Sequence, residues 1–304
     1  MRQSIRGYTD AVIEEPSRGD LAGVANELAG IVALVRGSPD LRFVLSDPDV
    51  AVPARRGVIT DLLGSRVSPT TLRLVTFALE ADRPGEFLDD VIWLAERVDA
   101  AAQGLVPIGD VVLGRHAAVE RMDGYATALL QDIPDKGALG DVEDELFRFM
   151  RIVGGSRELL GVLSNREVDA ATRRSLVEDL LRGRASSTTT RLAAYATQVG
   201  RPRDYENLLA HLVDRVAAES NRRLATVRTA IDLDEERRRH LAAALSRVAG
   251  HDVDIRVTVD PTVLGGFVAT IGDTVVYGST RHRLDLLKAR LDTPEADLTT
   301  GEPS

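Results

Sequence analysis

The sequence contains no cysteine, which excludes disulfides, zinc fingers, iron–sulfur clusters and thiol chemistry. Lysine is almost as scarce. Lys136 and Lys288 are the only two, so Schiff-base and phosphate-loop chemistry have few candidates, and the basic side chains are nearly all arginine. Aromatic residues make up 4% of the chain, with Trp93 the single tryptophan, which points to cores of Leu, Val, Ile and Ala of the kind that helices pack. No run reaches the roughly 18–20 apolar residues that a bilayer-crossing helix needs. The most apolar stretch, Ala29 to Val35, breaks at Arg36-Gly37. The opening residues, Met1-Arg2-Gln3-Ser4-Ile5-Arg6, lack the apolar centre of a signal peptide. An excess of positive charge is missing too: the net charge is −9, and nucleic acid, which Lys and Arg must neutralise, is not an expected partner.

What is present is an ordinary globular composition, 44% apolar and 28% charged over 304 residues, enough for two or three domains. Within it runs an internal repeat. Gly7-Tyr8 recurs as Gly124-Tyr125, Val44-Leu45-Ser46 as Val162-Leu163-Ser164, and Arg55-Arg56 as Arg173-Arg174. Asp61-Leu62-Leu63 returns as Asp179-Leu180-Leu181, Thr70-Thr71 with Arg73-Leu74 as Thr188-Thr189 with Arg191-Leu192, and Arg83-Pro84 as Arg201-Pro202. The spacing is constant from Leu21/Leu139 onward, and one residue is gained before that, near Ile133-Pro134. A colinear series of this length makes residues of about 5–103 and 121–222 two copies of one unit.

Each unit reads as five or six amphipathic helices. Leu21, Val24, Leu28, Ile31 and Val35 recur with helical period, as do their counterparts Leu139, Val142, Leu146, Phe149 and Val153. Gly37-Ser38-Pro39 ends one helix, Ser68-Pro69 begins another, and Ser186 can cap where the second copy has Ser187 in place of that proline. Helices with one apolar stripe bury it against each other, so each unit is expected to form a small antiparallel bundle. From about Leu224 the period changes to two. Strands are predicted over Leu224 to Ile231, Val253 to Val259, Phe267 to Ile271 and Thr274 to Tyr277, the last two forming a hairpin about Gly272-Asp273. One helix, capped at Asp232 to Asp234, ends at Gly250, and another runs from Arg281 to Leu291. The expected fold class is mainly α with a small α/β part: helical bundles over 1–110 and 111–222, a mixed-sheet domain over 223–291, and a disordered tail over 292–304.

The chemistry-bearing residues form no reactive constellation. Gly265-Gly266 lies between strands without the lysine and helix of a phosphate loop, and reads as a turn or bulge. His116, His211, His240, His251 and His282 never fall at ligand spacing, so no metal and no cofactor is expected. The acidic runs Glu14-Glu15, Asp89-Asp90, Asp141 to Glu145 and Asp232 to Glu236 read as solvated or helix-capping charge rather than a glycosidase-like pair. No serine stands in a nucleophile elbow. Chains of this kind hold other proteins together, offering a groove between amphipathic helices to a partner's helix.

The stretch Asp260-Pro261-Thr262-Val263-Leu264-Gly265-Gly266-Phe267-Val268-Ala269-Thr270-Ile271-Gly272-Asp273, followed by Val276-Tyr277-Gly278-Ser279 and Arg283-Leu284, resembles the C-terminal signature of the δ subunit of F-type ATP synthase, the bacterial counterpart of the oligomycin-sensitivity-conferring protein. Leu163-Ser164-Asn165 and Tyr125-Ala126-Thr127-Ala128-Leu129 resemble that family's helical domain. Residues 121–291 then match a whole δ subunit, and 5–103 an extra copy of its helical domain, as in the actinobacterial version fused behind a b-type stalk helix. The family usually has Asp where Tyr277 stands, and the stalk helix and its anchor are not in these 304 residues, which makes the chain an unfused relative or a piece of such a fusion.

The resemblance implies a non-catalytic stator. Its helical domain would grip N-terminal helices of α subunits, and its C-terminal domain would hold the end of the b stalk, so that the head does not turn with the rotor. It implies a peripheral place at the cytoplasmic face of the plasma membrane, with membrane contact only indirect. Expected interface residues are Leu139, Val142, Leu146, Leu192 and Tyr195 for the α helices, and Gly265, Gly266, Gly278, Ser279 and Leu284 for the stalk. The competing expectations are a helical-repeat adaptor with unrelated partners and a hydrolase built on the carboxylate clusters.

Overall fold

The computed structural model describes residues 2–15, 20–105, 112–133, 136–222, 224–249, 253–260, 262–263, 266–271 and 274–277. Among these the chain is mainly α-helical with one small sheet, and it divides into two compact units. The first unit holds residues 1–133 and 138–217, nearly all of both repeats; the second holds residues 134–137 and 218–304.

The first repeat forms α1 (Gln3–Ile13), α2 (Leu21–Gly37), α3 (Pro39–Ser46), α4 (Val52–Leu63), α5 (Pro69–Ala81) and α6 (Phe87–Ala102). The second forms α7 (Arg115–Leu130), α8 (Lys136–Gly155), α9 (Arg157–Ser164), α10 (Ala170–Leu181), α11 (Ser187–Val199) and α12 (Tyr205–Arg222). A single 3-10 turn precedes the last helix of each copy, at Pro84–Glu86 and Pro202–Asp204, where the Arg-Pro pairs break the chain. The helix starts follow from capping chemistry. Ser38, Ser68, Ser156 and Ser186 each accept a hydrogen bond from the backbone N–H three residues on, which satisfies one of the donors a helix start leaves open. Ser68 and Ser186 are themselves held by carboxylates across the bundle. Glu27 accepts from the Ser68 backbone and hydroxyl and from Thr71, and Glu145 does the same with Ser186 and Thr189. Burial by itself would raise these two carboxyls, but the hydroxyl and backbone donors outweigh it and hold both below the usual range.

The repeats were expected as bundles over 1–110 and 111–222, and they share one continuous buried core, from Ile5 on α1 to Val216 on α12. Helices α1 and α7 pack along each other at its centre, and the reason is in two glycines. A Cβ at Gly7 would collide with the Arg121 carbonyl, and one at Gly124 with the Ser4 carbonyl, so only glycine lets the two backbones come this close.

The second unit is a four-stranded mixed sheet with order β2-β1-β3-β4, formed by β1 (Leu224–Thr229), β2 (Asp254–Val259), β3 (Phe267–Ile271) and β4 (Thr274–Tyr277). Between β1 and β2, which are parallel, the chain forms α13 (Glu235–Ala249), and β1–β3 and β3–β4 are antiparallel. Asp234 caps α13 by accepting from the Arg237 N–H. The alternation read along β1 is real: Ala225, Val227 and Thr229 are buried while Thr226 and Arg228 are exposed. Leu245 of α13 joins Ala225, Val227, Val253, Ala269 and Ile271 in a core separate from that of the repeats. The predicted helix over 281–291, the tail over 292–304, Gly250 and the Gly272-Asp273 turn lie outside the described residues. Opposite that turn, Ile271 pairs with Thr274, the register of a two-residue hairpin connection.

Candidate functional site

The joint between the repeats is built almost twice over. Tyr8 stacks on Phe77 of α5, and its counterpart Tyr125 stacks on Tyr195 of α11, with ring centroids 4.1 and 3.7 Å apart. The Tyr8 hydroxyl accepts from Gln131 Nε2 at 2.5 Å, and the Tyr125 hydroxyl donates to Glu14, the residue that corresponds to Gln131. Arg73 pairs with Asp132 at 2.5 Å, and Arg191 pairs with Glu15 at 2.6 Å. Each of these polar contacts crosses from one copy to the other, and each has a mirror partner, so the two halves meet as a pseudo-twofold pair within one chain.

One feature breaks the symmetry. Asp10 of α1 is fully buried and takes Arg121 Nη2 at 2.6 Å, the Tyr195 hydroxyl at 2.5 Å and Arg97 at 3.2 Å. Burial alone would lower the Arg121 guanidinium, but Tyr195 and Asp10 beside it raise it, so it stays charged. Burial and the Asp10 carboxylate push the Tyr195 phenol well up, and burial and Glu14 do the same to Tyr125. These tyrosines are fixed neutral donors at any ordinary pH. Arg174 completes the seam, reaching Glu14 at 2.6 Å, Glu178 at 2.7 Å and Gln198 at 2.9 Å.

This corrects one sequence reading. Glu14-Glu15 is neither solvated nor at a helix start; it lies at the C-terminal end of α1, paired with arginines of the other copy. Asp89 and Asp90 do stand in the first turn of α6, but Asp90 is fully buried and neither of its oxygens has a hydrogen-bond partner among the described residues. Burial first, then the nearby Asp82, pushes its carboxyl up to about 7. The equivalent position in the second copy is Leu208, also buried.

The residues expected to meet α helices, Leu139, Val142, Leu146, Leu192 and Tyr195, are all buried in the chain's own core, and Tyr195 belongs to the joint. Apolar side chains that a partner can reach lie elsewhere on the same helices. Phe147 and Ile152 of α8 are exposed, and Ile152 with Leu180 lines a groove of about 180 Å³ between α8 and α10, edged by Arg148 and Arg184. The signal was in the sequence, since Phe147 and Ile152 fall off the stripe marked by Leu146, Phe149 and Val153. Of the residues expected at the stalk, Gly266 is exposed and takes a positive φ of 78° just before β3, as a turn or bulge glycine does. Gly265, Gly278, Ser279 and Leu284 lie outside the described residues.

His211 is half-buried and bonded to Asp123 at 2.6 Å, and this hydrogen bond raises its pKa. No group of three or more His, Asp or Glu side chains that could hold a metal occurs among the described residues. None of the described helices is long and apolar enough to cross a membrane.

The family model of the ATP synthase delta (OSCP) subunit matches residues 5–108 and 122–291. ATP synthase subunit delta of Streptomyces avermitilis is 34% identical over 288 residues, 94% of this chain and 94% of the relative. The protein of the same name from Thermobifida fusca is 32% identical over 272 residues, 89% of this chain and 90% of its own length. A chain of the Toxoplasma gondii mitochondrial ATP synthase hexamer covers 57% of this chain and 98% of its own at 17% identity and a TM-score of 0.30, a likeness too slight to bear on the fold. With both repeats and the sheet unit matched, the chain belongs to the ATP synthase delta (OSCP) subunit family.

Proposed function

We propose that the chain is a non-catalytic stator element of an F-type ATP synthase. It links the catalytic head to a b-type stalk and resists rotor torque during proton-driven synthesis. The observation that carries this reading is the seam at α1 and α7: two helical repeats welded by the close glycine contacts and by mirrored hydrogen bonds and ion pairs into one core, a body suited to bear load without yielding. Family membership supplies the machine in which such a body works.

In this reading the helical unit grips N-terminal helices of α subunits. The groove between α8 and α10 suits an amphipathic helix, with Ile152 and Leu180 as the apolar seat and Arg148 and Arg184 at its edges. The sheet unit, around Gly265-Gly266, Gly278-Ser279 and Leu284, holds the end of the stalk. The place of work is the cytoplasmic face of the plasma membrane, reached through partners rather than by insertion. A joint that must not slip calls for slow dissociation, and nanomolar affinity corresponds to about −12 kcal/mol.

The test is reconstitution with a δ-depleted synthase in vesicles. Adding the full chain restores proton-driven ATP synthesis, while ATP hydrolysis by the detached head is the same with and without it. Failure of the chain at saturating concentration to bind the α-containing head would overturn the proposal.

A further inference from the structure

We infer that a cleft at the start of α10, in the second repeat, is a docking site for an acidic peptide segment of a partner protein. The cleft has a volume of about 730 Å³, and Arg166, Arg173, Arg201 and Arg203 line it together with Val168 and Pro202. Four guanidinium groups around one opening are unexpected in a chain whose net charge is −9. Several arginines elsewhere are held by carboxylates, as at Arg73, Arg121, Arg174, Arg191 and Arg228. Here the side chains of Arg166, Arg201 and Arg203 are exposed and make no hydrogen bond or ion pair among the described residues.

The internal repeat separates what the scaffold needs from what this cleft adds. Arg173 is buried and donates to the carbonyls of Asn165, Val168 and Thr197, and its counterpart Arg55 likewise donates to the Val50 carbonyl. That arginine staples the loop before the helix in both copies, and Arg83 corresponds to Arg201. Arg166 and Arg203 have no such counterpart, because Pro48 and Gly85 stand at the equivalent positions. The fold is therefore made without them, and they are free to serve a ligand. Asp169 also lines the cleft, but its carboxylate is engaged by the Thr172 N–H at 2.8 Å and hydroxyl at 2.7 Å, capping α10. No hydrogen bond or ion pair joins it to the cleft arginines among the described residues.

The lining also fixes the class of ligand. Planar guanidinium groups pair with carboxylates through two parallel hydrogen bonds. The floor of Val168 and Pro202 and the exposed Val112 at the rim offer apolar contact that a bare inorganic anion does not use. A volume of this size fits a short run of residues in which carboxylates flank an aliphatic side chain. The loop carrying Arg166 is pinned by Arg173, which bonds the Asn165 and Val168 carbonyls and ties them to Thr197 of α11, so the site is ordered before binding and little is spent in shaping it.

The inference does not rest on the stator reading; its outcome leaves the head-binding result untouched. The probe is a fluorescein-labelled dodecapeptide, four repeats of Glu-Glu-Leu, read by fluorescence anisotropy on the full chain at about 50 mM salt. Saturable binding is expected, weakened about tenfold or more by the double variant R166E/R203E and unchanged by R36E/R42E in the first repeat. The matching Gln-Gln-Leu peptide should not bind. Equal thermal midpoints for wild type and R166E/R203E establish that the variant is folded. Absence of saturable binding, or binding that R166E/R203E retains, overturns the assignment. Complete displacement of the peptide by an equimolar amount of inorganic pyrophosphate overturns the peptide class in favour of a small polyanion.

Discussion

Asp10 and Asp90 are both fully buried carboxylates of the first repeat, and their surroundings give them opposite consequences. Asp10 meets two arginines and a phenol. Truncating it leaves Arg121 buried without its counter-charge, so Asp10→Ala should cost about 3–5 kcal/mol in a denaturant titration. Asp90 makes no hydrogen bond among the described residues, and burial together with the nearby Asp82 lifts its carboxyl to about 7 when folded against about 3.9 when unfolded. The folded state then holds a proton that the unfolded state has already lost, so stability falls as pH rises from about 4 to about 7 and levels off above. Asp90→Asn should remove that slope and raise stability at pH 8 by ~1–2 kcal/mol; a wild-type curve that is flat over this range would contradict the assignment. Neither role was legible in the sequence. An acidic residue in an amphipathic helix looks the same whether its partner lies on a distant helix, is absent, or is water. Gly7 and Gly124 were legible as a repeated pair, though not as the contact point of two backbones. Because the obstruction there is a carbonyl and not a movable side chain, Gly124→Ala should destabilise the helical unit by at least ~3 kcal/mol.

The helices themselves were read well, because each advertises its ends and its buried stripe. Ser68 and Ser186 cap where the sequence placed them, Ser38, read as part of a helix end, also caps the start of α3, and Val24, Leu28, Ile31 and Val35 are buried as their period required. The strands over Phe267–Ile271 and Thr274–Tyr277 carry the bounds that alternation and the Gly-Asp dipeptide suggested. What period cannot reveal is whether an apolar stripe is covered by the same chain or by a partner. Leu139, Val142 and Leu146 satisfy both descriptions equally, and the structure covers them with the chain itself. The residues outside the stripe are then the informative ones. Ile152→Glu, in an exposed position, should leave stability within about 0.5 kcal/mol of wild type and weaken capture of the α-containing head about tenfold. Capture unchanged by this substitution would remove the α8–α10 groove from the proposal.

At the scale of the molecule, the two cores are unequal. Among the described residues, the helical unit buries a continuous set of large side chains across twelve helices, whereas the sheet unit buries six small and medium ones. Calorimetry should resolve two transitions, with the sheet unit melting first and both repeats unfolding together in the second. Three transitions would mean that the repeats are independent.

The mirrored seam has a further consequence. If its two halves were carried on separate polypeptides, the same hydrogen bonds and ion pairs would form a dimer that comes apart on dilution. Tethered in one polypeptide, each half sees the other at a fixed local concentration, so the bond is indifferent to how many copies a cell makes. Duplication turns an equilibrium between two molecules into a permanent property of one.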